Sequence, residues 1–142
     1  MSNRVVILQE TFPRYRVALF DEVCRRATLR GIEVQVVYGQ APGNRGERSN
    51  GGSIGGAGFV RNRYLRIPGV ETEAVWQPAL RSCLGADVVV VEQANRLLIN
   101  YILLMAQRLH GPKLAFWGHG RNLQSTPDTI AERFKARLSR HR

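Results

Sequence analysis

The sequence predicts a doubly wound, mostly parallel α/β sheet with helices on both faces. Two observations carry this. Val5–Leu8, Val88–Val91 and Leu114–Trp117 are apolar runs without alternation, the pattern of strands buried on both faces. Between them lie segments of helical period, so that strand and helix succeed one another in chain order. A chain of 142 residues makes one domain, of a size that buries about 68–70% of its unfolded surface.

Val5–Leu8 is the first strand. After Pro13, Val17, Phe20, Val23, Cys24 and Ala27 recur at helical spacing and Gly31 supplies the stop, which gives an amphipathic helix. Val34–Tyr38 is β-branched and ends at Gly39, completing a strand, helix, strand unit with a right-handed crossover. Residues 39–58 hold eight glycines in twenty; a segment with so little to bury and so much backbone entropy to lose reads as a flexible loop. Phe59–Ile67 reads as a strand or one arm of a hairpin before Pro68-Gly69. Trp76–Leu84 reads as a short helix with Pro78 in its first turn and Gly85 at its end. Four consecutive valines make Val88–Val91 the clearest buried strand. Leu97–Leu109 is apolar nearly all round, so it is expected as a core helix packed on several sides and ended by Gly111-Pro112. Leu114–Trp117 is a further buried strand, and Ile130, Phe134 and Leu138 space a last, basic helix.

Composition narrows the function classes. The 21 Lys and Arg against 11 Asp and Glu give a formal charge of +10, and nineteen of the cations are Arg, which favours anionic partners such as phosphate, nucleic acid or acidic lipid. Cys24 and Cys83 form no CxxC or Cys/His pattern and read as buried thiols in a reducing compartment. The N-terminus lacks a signal-peptide apolar region. The most apolar run, Leu97–Ala106, is far shorter than the ~20 residues that span a bilayer. A cytoplasmic protein is the expectation.

In such sheets, ligands bind outside the carboxyl ends of the strands. Those ends read Gln9-Glu10-Thr11-Phe12, Tyr38-Gly39, Glu92-Gln93-Ala94-Asn95 and Gly118-His119-Gly120-Arg121-Asn122. They predict a crevice with two carboxylates, an imidazole and a guanidinium. His119 is the sharpest candidate, because an imidazole between two glycines has little apolar surface to pack against and sits on permissive backbone. It suits a hydrogen bond to a sugar hydroxyl or phosphate, the other reading being a capping or loop-bonding histidine. Glu92 either orients an acceptor hydroxyl or forms an ion pair with Arg121, and Glu10 carries the same two readings. Arg14 and Arg16, flanking Tyr15, either meet an anion at a helix N-terminus or form a solvated basic face. His110 suits a helix C-terminal dipole contact.

Several motifs fail. Gly51–Gly55 spells GxSxG but lacks the strand before and the helix after that expose a nucleophilic serine. Neither GxGxxG between strand and helix nor GxxxxGK[ST] occurs, three scattered histidines give no metal set, and no nucleic-acid recognition signature is present.

The run DVVVVEQANRLLINYILLMAQR (Asp87–Arg108), followed by GPKLAFWGHGRN (Gly111–Asn122), resembles the N-terminal domain of bacterial glycosyltransferases of the GT-B fold, in the family 4 group. The opening QETFPRYRVALFDEV (Gln9–Val23) fits it as well, so that the similarity covers essentially the whole chain. The resemblance implies a Rossmann-like, acceptor-side half of a retaining enzyme. Its co-substrate is a nucleotide sugar, with neither cofactor nor bound metal, and its acceptor is a glycan or a lipid-linked molecule. By position His119 looks like the histidine that contacts the transferred sugar. Thr11–Arg16 corresponds to the loop that approaches donor phosphates and acceptor, and Glu10, Thr11, Arg14, Arg16, Glu92, Asn95, Gly118, Gly120 and Arg121 form the expected binding set. That loop is often Gly-rich in the family, whereas here it reads Phe12-Pro13-Arg14-Tyr15-Arg16, so that an Arg side chain substitutes for close backbone approach.

The donor domain with its paired glutamates is not among these residues. The resemblance therefore implies one half of a two-domain catalyst, inactive alone, because a transition state assembled by two domains cannot be stabilised by one. Its basic last helix and Arg-rich first helix suit peripheral contact with an anionic membrane. The competing class is a non-enzymatic basic α/β module that holds nucleic acid or another polyanion, whose binding weakens steeply with salt.

Overall fold

The computed structural model describes residues 3–43 and 56–118. Among them, β1 (Asn3–Thr11) leads through a 3-10 turn (Arg14–Arg16) into α1 (Val17–Thr28), then β2 (Ile32–Gly39) and β3 (Gly58–Phe59). A hairpin of β4 (Arg63–Leu65) and β5 (Ala74–Trp76) follows, then α2 (Leu80–Leu84), β6 (Val88–Glu92), α3 (Leu98–Arg108) and β7 (Lys113–Trp117). Five strands form one sheet in the order β3-β2-β1-β6-β7, every pair parallel. This is the Rossmann-like α/β class the sequence predicts.

The apolar runs explain both layers. On one face Ile7, Val36 and Val90 pack with Phe12 and with Phe20 of α1. On the other, Val6, Leu8, Val37, Val89 and Val91 pack with Ile99 and Leu103 of α3 and Cys83 of α2. Strands that feed two cores have no polar face to alternate with, which is why Val88–Val91 reads as an unbroken run.

The structure corrects five expectations. Phe59–Ile67 is a hairpin arm only over Arg63–Leu65: Phe59 ends the short parallel strand β3, while β4 pairs antiparallel with β5 in a separate two-stranded sheet. Trp76 is not helical but pairs with Arg63, and α2 starts only at Leu80, beyond Pro78. Gly39 and Gly58, placed in the flexible loop by composition, lie in strands; 44–55 fall outside the described residues. β7 is not buried, for Phe116 and Trp117 are 40% and 43% exposed at the sheet's edge. Finally, α3 packs on one side only, burying Ile99, Asn100, Leu103 and Leu104. The last basic helix, expected around Ile130–Leu138, lies outside the described residues.

The end of α3 supplies a first prediction. Gly111 N–H donates to the Ala106 carbonyl at 2.7 Å, which closes the helix, and the residue before it, His110, takes φ 66°. That left-handed conformation costs a residue with a Cβ and costs glycine little. His110→Gly is therefore expected to raise stability by about 0.5–1 kcal/mol. Urea denaturation reads it; an unchanged or lowered midpoint contradicts it.

Candidate functional site

β1 is flanked by β2 on one side and β6 on the other, so the chain winds away in both directions from the β1/β6 pair. That reversal of strand order opens a crevice at the carboxyl ends. A cavity of about 480 Å³ lies there, in the size range of small-molecule sites. Its lining includes Glu10 and Thr11 from the end of β1, Arg16 from the 3-10 turn, Glu92 and Gln93 from the end of β6, Arg96 before α3, and Trp117 and Gly118 from the end of β7.

A break in register prepares Glu10 for this place. Gln9 faces Tyr38 and Thr11 faces Gly39, the next residue of β2, so Glu10 is the extra residue of a β-bulge. Bulges re-aim side chains at sheet rims. Glu10 Oε2 accepts from Arg96 at 2.7 Å, and its Oε1 lies 3.4 Å from the Tyr64 hydroxyl. Its backbone N–H donates to Glu92 Oε2 at 2.8 Å, while Glu92 Oε1 accepts from Arg16 at 3.1 Å. Arg16 also donates to Gln9 Oε1 at 2.5 Å. Two carboxylates and two guanidinium groups thus line the crevice as two ion pairs, Arg96 with Glu10 and Arg16 with Glu92.

Amides hold this cradle from beneath. Gln77 donates to the Gln9 carbonyl at 2.7 Å, and Asn100, in the first turn of α3, donates to the Glu92 carbonyl at 2.9 Å. Asn62 donates to the carbonyls of Glu10 at 2.8 Å and Gln40 at 3.0 Å. The Gln40 side chain pairs in turn with the Asn62 main chain through two 2.8 Å bonds. Strand-end carbonyls in an apolar setting need such donors. The amides fix the positions of β1, β6 and the hairpin relative to one another.

Burial pushes the Glu10 carboxyl above its ordinary range; Arg96 opposes the shift and Glu92 adds to it. A carboxyl that holds its proton more tightly when folded makes the folded state the greater proton binder between its unfolded value, 4.5, and its folded one. Stability in that window falls as pH rises. The advantage of wild type over Glu10→Gln is accordingly expected to be greatest at acid pH, to shrink as pH rises through the folded value, and to level off above it. Urea midpoints of both proteins across that range read the sign, and an advantage that grows with pH contradicts it.

Of the residues expected from sequence, Glu10, Thr11, Arg16, Glu92 and Gly118 come together around the cavity. Arg14 and Asn95 are exposed and lie outside its lining; the Asn95 carbonyl accepts from the Tyr101 hydroxyl at 3.1 Å. His119, Gly120 and Arg121 fall outside the described residues. Glu92 has Arg16 as its ion partner. Sequence reasoning missed Arg96, Asn62, Tyr64, Gln77 and Asn100. Asn100 alone carried a signal, as one amide inside an apolar helix. Among the described residues, no group of three His, Cys, Asp or Glu could hold a metal ion, and no helix is long and apolar enough to cross a membrane.

Chemically, the crevice offers carboxylate acceptors, guanidinium donors and an indole, a set suited to a small neutral polyol or its phosphate ester. No protein-family model, no curated protein and no solved structure matches the chain.

Proposed function

We propose that the chain is the acceptor-side half of a retaining glycosyltransferase, and that the crevice between β1 and β6 receives the hydroxyl-bearing end of a glycan or lipid-linked acceptor. A separate domain supplies the nucleotide sugar, and the present residues alone do not turn over. The observation that carries this reading is the cavity of about 480 Å³, with Glu10, Glu92, Arg16 and Arg96 around it and Trp117 at its rim. Carboxylates and guanidinium groups match the acceptors and donors of a sugar's hydroxyls. The ring of Trp117, 43% exposed, offers an apolar surface for a sugar's C–H face.

Glu92 is the first choice for orienting the acceptor hydroxyl, since it is paired with Arg16 and one-fifth exposed, whereas Glu10 is nearly closed off. His119, which directly follows the cavity residue Gly118, is the proposed contact to the transferred sugar. Saturation-transfer NMR with a panel of disaccharides tests the reading. Wild type is expected to show transfer, Glu92→Gln to weaken it about tenfold or more, as loss of one hydrogen bond to a charged group does, and Trp117→Ala to weaken it by removing the apolar surface under the sugar. Absence of transfer from every sugar, with short RNA bound instead and released steeply by salt, supports the basic-module alternative.

A further inference from the structure

We propose that the outward side of α3 is a ridge that docks the protein on anionic lipid, an assignment that stands independently of the acceptor reading. Leu98, Ile102, Met105 and Leu109 follow one another at steps of four, three and four. On a helix these positions fall within an arc of about 60°. The arc lies opposite the mean direction of the buried Ile99, Asn100, Leu103 and Leu104. Exposure rises along it, from half-buried Leu98 through Ile102 at 38% and Met105 at 67% to Leu109 at 79%. Leu84 of the neighbouring α2 is 51% exposed. The solvent side of a surface helix is ordinarily polar. Here Ile102, Met105 and Leu109 are exposed, beside Gln107 and Arg108 of the last turn.

Charge selects the occupant. Neither α2 nor α3 contains an Asp or Glu; their charged residues are Arg81 and Arg108, and Lys113 opens β7 just beyond. Between Ala74 and Gly118 the acids are Asp87 and Glu92. Asp87 accepts from the Arg4 backbone, and Glu92 serves the crevice. A second copy of the chain would set cation against cation across this face. An anionic surface meets it with the opposite charge. The face is also a single convex helix, and a bilayer needs no complementary groove: Leu, Ile and Met enter the acyl boundary while arginine stems reach back to the phosphates. The first helix offers less, because Arg25 and Arg26 of α1 are both engaged by Glu22, at 2.8 and 2.6 Å. Arg96, at the amino end of α3, lines the cavity. A helix lying in the interface therefore keeps the crevice beside the headgroups, within reach of a lipid-borne acceptor.

Co-sedimentation of the full chain with vesicles tests this, using phosphatidylcholine alone and an equal mixture with phosphatidylglycerol, at low and high salt. Wild type is expected to be retained on the acidic vesicles at low salt and released by salt. The neutral pair Met105→Gln with Leu109→Gln is expected to lower partitioning about tenfold or more, from the apolar burial lost, and Arg108→Gln about fivefold. Leu19→Gln on α1, also exposed, serves as the control and is expected to change nothing. All four positions are exposed, so circular dichroism and melting should match wild type. Failure of wild type to be retained, or equal retention of wild type and the Met105/Leu109 variant, overturns the assignment. A concentration-dependent dimer that the Met105/Leu109 variant abolishes, without vesicle binding, overturns it in favour of a second copy.

Discussion

Gly39→Ala is expected to destabilise the chain by about 2–4 kcal/mol, the upper range for forcing a methyl group into a packed site. The Cβ of an alanine at the end of β2 would come closer than 3.0 Å to all three terminal atoms of the Asn62 carboxamide. That carboxamide cannot swing aside cheaply. Asn62 is 4% exposed, its side chain donates to the carbonyls of Glu10 and Gln40, and its main chain is gripped by the Gln40 side chain. Relief of the clash requires loss of at least one of these bonds and leaves a strand-end carbonyl unsatisfied. Urea denaturation should show a lower midpoint at constant slope. Gly58→Ala is the control: its Cβ would meet Gln35 and Val37 only at 3.5 and 3.6 Å, ordinary contact distances. If the two variants lose stability equally, backbone freedom rather than Asn62 accounts for the effect.

The second large effect is expected at Glu92. Its carboxylate accepts from the Glu10 backbone and from Arg16, and the two side chains of the ion pair are 21% and 22% exposed. Glu92→Leu keeps the bulk but leaves the Glu10 N–H without its partner and removes the carboxylate that answers Arg16. A wholly buried pair broken in this way costs about 3–5 kcal/mol; with solvent at one-fifth of the surface, about 2–3 kcal/mol is expected. Thermal unfolding should drop by about 5–15 °C. Arg16 retains its bond to Gln9, so Arg16→Met in the Glu92→Leu background should recover part of the loss by removing the unpaired charge. A double variant less stable than Glu92→Leu would show that Arg16 is held chiefly by Gln9 and that the ion pair contributes little.

What was legible in the sequence follows from what burial does to composition. β1, β2 and β6 feed cores on both faces, so that VVIL, VQVVY and VVVV announce themselves, and with them the strand ends where Glu10 and Glu92 stand. The hairpin's second arm was not legible. Leu65, Ile67 and Val70 alternate with exposed arginines and flank Pro68-Gly69, and β5 is three residues long, too short for any period to register. Trp76 belongs to that strand yet was read into the helix that follows, because Pro78 is as acceptable before a helix as in its first turn. The supporting amides were invisible for a different reason. Gln77 and Asn62 are fully or almost fully buried, but an isolated amide beside a proline or between arginines has the spelling of a surface loop. The bulge at Glu10 depends on the register against β2, which no local pattern encodes. The apolar character of α3 was legible in full. Its interpretation was not: only the structure shows that Ile102, Met105 and Leu109 face outward.

We propose that this protein binds a sugar in the crevice between the ends of β1 and β6. Proton–nitrogen NMR titration of the full chain with nucleotide sugars and disaccharides, and separately with a short RNA, at two salt concentrations, tests it most directly. The predicted result is a set of salt-insensitive shifts confined to Glu10, Thr11, Glu92, Gln93 and Gly118 and their neighbours on addition of sugar. Salt-sensitive shifts spread over the exposed arginines with RNA alone, with the crevice resonances unmoved by any sugar, would contradict the account.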